Sequence, residues 1–217
     1  MELTLEQIQN FKGKYPKQLW SLFTVEMWER FCFYGMRGVL TYFMVDQLLL
    51  KDGVANLQYG AIQAFVYAFT FIGGIFADKV LGFKKSLFFG GMVMILGNLL
   101  IAIAPKELFY YGIAFSIIGT GFFKPNVSSM VGELYHEDDP RRDAGYGMFY
   151  AGINVGGFLG GILCIYLGKY YSWQLCFLSS AIVMVLGLLT FLFTKSKLGP
   201  IGNSPLNHLP KSKRLTK

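Results

Sequence analysis

The sequence predicts an all-α membrane protein, a bundle of six transmembrane helices. Three observations predict it. Of 217 residues, 53% are hydrophobic and only 15% charged, where ordinary soluble domains carry about 25% charged residues. The apolar residues gather into six long runs. The lysines and arginines fall almost entirely on one side of those runs.

Residues 1–18 are polar and mixed in charge, and read as a cytoplasmic N-terminus. They are not a signal peptide, because the apolar run that follows is too long for an h-region. Runs of the roughly 20 apolar residues that cross a bilayer then occupy 19–45, 58–77, 86–104, 108–131, 146–167 and 172–194. The connections at 46–56, 78–85, 105–107, 132–143 and 168–171 are polar or turn-prone. Trp20 and Trp173 stand near run ends, where amphipathic rings settle at the lipid interface. Residues 195–217 turn polar, carry Pro200, Pro205 and Pro210, and end in a basic run. They read as a cytoplasmic linker or tail, either solvated or drawn to anionic lipid.

Fourteen of the 20 lysines and arginines lie on the side that holds both termini, three (Lys51, Lys106, Lys169) on the other and three within the runs. Positive residues stay inside, so both termini are expected to be cytoplasmic, in a multi-pass protein of the plasma or inner membrane. The net charge of +7 is therefore a matter of topology; no basic stripe interleaved with aromatics suggests nucleic acid. Cys32, Cys164 and Cys176 sit in apolar runs without metal-type spacing to His136 or His208, and read as helix packing. No nucleophile, metal or cofactor motif suggests an enzyme.

Charge inside the first run is the strongest functional signal. Glu26, Glu29, Arg30, Tyr34 and Arg37 fall within a stripe of about 140° on one helix face. A charge at a membrane helix centre costs at least ~2.5–3.5 kcal/mol, and persists where it faces a bundle interior or a water-filled path. The plain alternative is an ion pair that pins helices together. Lys124, midway along the fourth run and followed by Pro125, has no acid nearby in sequence, which leaves Glu26 and Glu29 as its candidate partners. Two acids against three bases leave an uncompensated positive charge. It suits an anionic substrate group or an acid from another segment. Burial and neighbouring cations act on a glutamate's proton affinity in opposite senses, so proton carriage remains one of two readings.

In the fifth run Gly152, Gly156 and Gly160, with Gly157 and Gly161, are spaced for close helix approach rather than for a phosphate loop. Tyr150 and Asn154 face either a cavity or a neighbouring helix. A weak internal symmetry links the runs. The first and fourth carry the charges, and Tyr67 and Tyr150 are each followed by a double glycine (Gly73-Gly74 and Gly156-Gly157). A three-plus-three inverted repeat is common among secondary transporters.

Glu26-x-x-Glu29-Arg30-Phe with Tyr34-Gly35 resembles the ExxER motif of the proton-dependent oligopeptide transporter family of the major facilitator superfamily. Gly119-Thr-Gly-Phe-Phe-Lys124-Pro125-Asn126, running on to Gly132, is similar to that family's fourth-span signature. Phe149-Tyr150-Ala-Gly152-Ile-Asn154-Val-Gly156 is similar to its fifth-span signature. Gly73-Gly74-Ile-Phe-Ala-Asp78-Lys79-Val-Leu-Gly82-Phe-Lys84-Lys85 resembles the superfamily's loop motif.

The resemblance implies the N-terminal half of a proton-coupled symporter of di- and tripeptides. Glu26, Glu29 and Arg30 would couple protons, exchanging salt bridges with Lys124. Arg37 and Lys124 would meet the peptide carboxylate, and Tyr34, Tyr67, Tyr150 and Asn154 would line the peptide site. Asp78, Gly82, Lys84 and Lys85 would form a cytoplasmic gate. No cofactor is implied beyond the coupling protons; the partners are the peptide, the bilayer and a second six-helix half. Phe33 departs from the pattern, since many members carry a second tyrosine there. Family members have at least twelve spans, so the chain reads as a fragment of the carrier, or as one completed by a partner chain. The alternatives are a relative carrying nitrate, an amino acid or another small anion, and a non-transporting membrane component.

Overall fold

The computed structural model describes residues 3–208. All regular structure among the described residues is helical. A short helix α1 (Leu5–Gln9) precedes six long ones: α2 (Lys17–Asp46), α3 (Asp52–Phe76), α4 (Phe83–Ile103), α5 (Phe109–Glu133), α6 (Arg142–Tyr170) and α7 (Trp173–Thr194). The six apolar runs overlap α2–α7. By length and composition, α3, α4, α6 and α7 are apolar enough to cross a membrane. The charges of α2, and the glycines, hydroxyls and Lys124 of α5, keep those two below that level.

α2 and α5 form the centre. α2 packs chiefly against α6 and then α7, and α5 against α4 and then α3. α4 and α7 meet behind them. Glycines set the closest crossings. A Cβ at Gly156 would strike the Met27 carbonyl and one at Gly160 the Phe31 carbonyl, so the four-residue glycine step on α6 follows the four-residue step of α2. Pro125 has no N–H to give the Gly121 carbonyl one turn earlier. Gly73 of α3 lies against that carbonyl, where any side chain would collide. Gly160→Leu is therefore expected to destabilise the bundle by at least the ~1–3 kcal/mol of an overpacked core. Gly161→Ala, which points into open space, is expected to leave it unchanged. Thermal unfolding in detergent compares the two.

Both ends of the bundle are tied. At the basic end, Gln18 donates to the Lys197 carbonyl, Gln9 to those of Glu133 and Tyr135, and Lys84 to that of Gly199. At the other end, the Trp173 indole donates to Asp46 at 3.1 Å. Trp173 is thus buried, edge-on to Phe43 and tilted against Tyr42, rather than settled in lipid as its position suggested. Cys32, Cys164 and Cys176 are buried in the packing.

Two segments differ from the sequence reading. Residues 5–9 are helical, closed by a capping box between Thr4 and Gln7. The stretch from Leu198 to Ser204 is a packed strap rather than a solvated linker. Leu198 and Ile201 are buried, and Gly202 N–H donates to Glu133 at 3.0 Å. Burial raises the pKa of this Glu133 carboxyl. Gly199 and Gly202 take left-handed backbone (φ 51° and 71°), which lets the strap turn twice under the bundle. The basic run at 211–217 lies outside the described residues.

Candidate functional site

Glu26, Glu29 and Arg30 come from consecutive turns of one helix and are almost wholly buried, the arginine at 2% exposure. Arg30 Nε donates to Glu26 Oε1 at 2.6 Å and lies 3.1 Å from Glu29 Oε2. The second contact is an ion pair without hydrogen-bond geometry, so both Glu29 oxygens and Glu26 Oε2 are buried without a hydrogen-bond partner. One guanidinium nitrogen is shared by two carboxylates. All three side chains belong to α2, so both ion pairs lie within one helix.

Lys124 is half-buried on α5. Its ammonium stands 5.3 Å from the Tyr67 ring centre and 5.9 Å from that of Phe33. Among the described residues no carboxylate lies within ion-pairing distance of it. The expected Lys124–glutamate bridge is therefore not formed here; aromatic faces hold the cation instead. Phe33 also faces Arg30, at 5.8 Å, so this ring stands between the triad and the lysine. The position that departs from the family pattern is where an apolar face is presented to two cations.

Arg37 lies two turns along α2. Its Nε donates to the Tyr59 hydroxyl at 2.7 Å, and its guanidinium sits 5.9 Å from the rings of Tyr34 and Tyr59. Tyr59 is a partner of Arg37 that the sequence reading does not name. A signal was present: Tyr59, Gln63 and Tyr67 recur every four residues and share one face of α3. Tyr67 and Tyr150 are 64% and 60% exposed, and the exposed Asn154 amide donates to the Tyr150 carbonyl. Tyr34 packs on Gly157, one turn beyond Asn154. Lys124 and Tyr67 thus meet across α5 and α3, and Arg37 and Tyr34 lie together on α2; Tyr150 and Asn154 are exposed on α6, which packs against α2.

Asp78, Gly82, Lys84 and Lys85 form a separate group at the basic end. Asp78 is exposed within a π turn (Ala77–Leu81) closed by Gly82 at φ 77°. Lys84 reaches the strap through Gly199 and Asn203, and Lys85 is exposed.

The chain is similar to known proteins along most of its length. A POT family model matches residues 84–211. YclF, an uncharacterized transporter of Bacillus subtilis (strain 168), is 40% identical over 204 residues, which are 91% of this chain and 42% of the relative. A dipeptide and tripeptide permease A of Proteus mirabilis (strain HI4320) is 34% identical over 202 residues, 90% of this chain and 41% of the permease. Among solved structures, a POT family transporter in complex with 5-aminolevulinic acid superposes with a TM-score of 0.88 at 32% identity, covering 98% of this chain and 46% of that one. A peptide transporter POT in complex with sulfate gives 0.86 at 36%, covering 99% and 46%. The chain spans less than half the length of these relatives. It belongs to the POT family, a family of transporters.

Proposed function

We propose that this chain is the N-terminal, six-span half of a proton-coupled symporter of di- and tripeptides. The observation that carries the reading is the buried triad of two glutamates around one arginine, set behind a wall of tyrosines and cations. Three ionised groups would leave one negative charge in excess in a dry site, where charge is costly. Either a proton on one glutamate or the approach of Lys124 removes that excess. The two events are alternatives, and their exchange ties proton movement to a change of shape.

Beyond the triad, Arg37 and Lys124 present positive charge to a substrate carboxylate, and the hydroxyls of Tyr34, Tyr67 and Tyr150 with Asn154 offer hydrogen bonds to peptide backbone while ignoring side chains. Asp78, Gly82, Lys84 and Lys85 form the cytoplasmic gate. No cofactor is needed when protons drive the step.

The three-plus-three repeat is supported by the packing pattern. Exchanging α2–α4 with α5–α7 maps the α2–α6 crossing on α5–α3 and the α4–α5 crossing on α7–α2. Gly73 of α3, packed against α5, and Gly156 of α6, packed against α2, are counterparts in this exchange, as are the exposed Tyr67 and Tyr150. The gathering of the basic ends at one end of the bundle supports cytoplasmic termini in a plasma or inner membrane. Residues 195–217 would lead to the second half.

The test is uptake of labelled dialanine by the full-length carrier in liposomes under an inward proton gradient, with nitrate and 5-aminolevulinic acid as competitors. Gradient-driven dialanine uptake untouched by nitrate is expected. Nitrate uptake in its place would make the protein a small-anion carrier, and 5-aminolevulinic acid displacing dialanine completely would favour an amino-acid-like substrate, in keeping with the relative bound to that compound. In the same assay Lys124→Ala should weaken substrate binding by the ~2–5 kcal/mol lost when one partner of a buried charge pair is truncated. Lys124→Arg keeps the charge in another geometry and should lose less. Equal activity of both variants would mean that the charge is irrelevant.

A further inference from the structure

The face of the bundle away from the tyrosine wall holds a cleft of about 340 Å³ between the start of α4 and the end of α7. Lys84 and Lys85 enter it from α4, Lys195 from the end of α7, and Asn203 and Ser204 of the strap close its base. Lys85 and Lys195 are exposed, and among the described residues neither has an ion-pair partner.

Three features single out the occupant. First, Lys84 and Lys85 stand in the first turn of α4, which contains no acid. A helix N-terminus is itself positive, so the exposed Lys85 adds to a field that favours an anion, while Lys84 is engaged by the strap and acts on the Glu133 carboxylate. Second, the walls above the lysines are apolar. Phe88, Met92 and Leu96 are exposed along one stripe of α4, and Leu192, Leu189 and Val185 along one stripe of α7. Both stripes run up the bundle from the lysines. Third, this is where the basic end of the bundle meets the bilayer surface, if the helices span as proposed; the inference rests on that part of the proposed function alone. An anion that carries long apolar chains fits both halves of the site, and a small free anion fits only the lower half.

We propose that this cleft binds the headgroup of an anionic phospholipid of the cytoplasmic leaflet, its acyl chains lying along the α4 and α7 stripes. The lipid phosphate meets Lys85 and Lys195 from opposite sides, so it bridges the two helices that lie on either side of the cleft. The strap, held by Lys84 through Gly199 and Asn203, forms the base against which the headgroup rests.

The test measures lipid retained by the purified full-length carrier, by native mass spectrometry, with phosphatidylglycerol and phosphatidylcholine of equal chain length. No peptide or proton gradient is present, so the result is independent of transport. Preferential retention of phosphatidylglycerol is expected. Each basic residue near an anionic surface contributes roughly a fivefold preference, so the Lys85→Gln/Lys195→Gln variant should lose it by about 25-fold. Lys85→Arg/Lys195→Arg should keep it, and so should Lys51→Gln/Lys106→Gln, which removes equal charge from the other end. Unchanged retention in the first variant would overturn the proposal, as would an equal loss in the last, which would mean diffuse attraction. Displacement of phosphatidylglycerol by equimolar inorganic phosphate would also overturn it in favour of a small-anion site. So would protection of Lys85 and Lys195 from an amine-reactive label in lipid-free carrier, because protein would then fill the cleft.

Discussion

Glu29→Gln in the full-length carrier is expected to abolish concentration of peptide under an inward proton gradient while exchange of peptide across the membrane survives. A proton descending one pH unit releases about 1.4 kcal/mol, enough for ~tenfold accumulation; the variant should show none. The geometry points to Glu29 as the mobile member. Glu26 is held by a short charge-assisted bond to Arg30, whereas Glu29 sits at 3.1 Å with neither oxygen hydrogen-bonded. Glutamine keeps the shape and the acceptor oxygen but carries no titratable proton, and it removes the charge that makes protonation and Lys124 approach alternatives. Exchange needs no net proton movement and so persists. Glu26→Gln should also fail to accumulate peptide, because one carboxylate then balances Arg30 and no excess charge remains to be relieved. Measuring counterflow and gradient-driven uptake side by side separates coupling from folding. If both variants concentrate peptide as the unmodified carrier does, the acids are structural and the coupling lies elsewhere.

The parts of this site that lie within one helix were legible in the sequence, and the parts that depend on how helices are rotated were not. Glu26, Glu29 and Arg30 share a face of α2 by spacing alone, and the structure brings them together. The close approach of α6 to a neighbouring helix was foreshadowed by its glycine steps. Lys124 is the counter-example. Its depth implied a partner, and carboxylates were the only charged candidates, yet the rotation of α5 against α3 places its ammonium over Tyr67. Nothing in a single sequence encodes that rotation. Trp173 fails for a related reason, since an aromatic residue at a run end can face lipid or a neighbouring helix, and Phe43 decides it here. The strap was missed because Leu198 and Ile201 are isolated apolar residues among Gly, Pro and Asn. They have no periodicity to read, and their burial depends on contacts with residues far away in sequence. Thr4-x-x-Gln7 has the form of a capping box, but the five-residue helix it opens is too short to carry an apolar period.

Residues 1–217 by themselves are expected to insert as a helical bundle but not to transport. Insertion should succeed because four helices are long and apolar enough to cross unaided, and because α2 and α5 bring their charges to a shared, partly shielded centre. Transport should fail because the tyrosine wall is only half of a cavity. The hydrophobic segments of α3 and α6 are 22% and 28% buried, against 50% and 44% for those of α4 and α7. The poorly covered helices are the two that flank the proposed site. Phe71, Phe158 and Ile162, all more than half exposed, read as the surface on which a second bundle closes. Without that bundle, Lys124 and Arg37 would face lipid or a water defect, at a cost of a few kcal/mol for each charge. The isolated bundle should therefore melt earlier than the full-length carrier, or self-associate through this face. Co-expression with the second half should restore both stability and uptake, because alternating access requires two bundles rocking about a midplane site. The measurement is peptide accumulation by the reconstituted chain under an inward proton gradient, with its oligomeric state determined in the same preparation. Saturable, gradient-dependent uptake by residues 1–217 alone would instead make a symmetric pair of these chains the working unit, with Tyr67 and Tyr150 of each copy completing the cavity of the other.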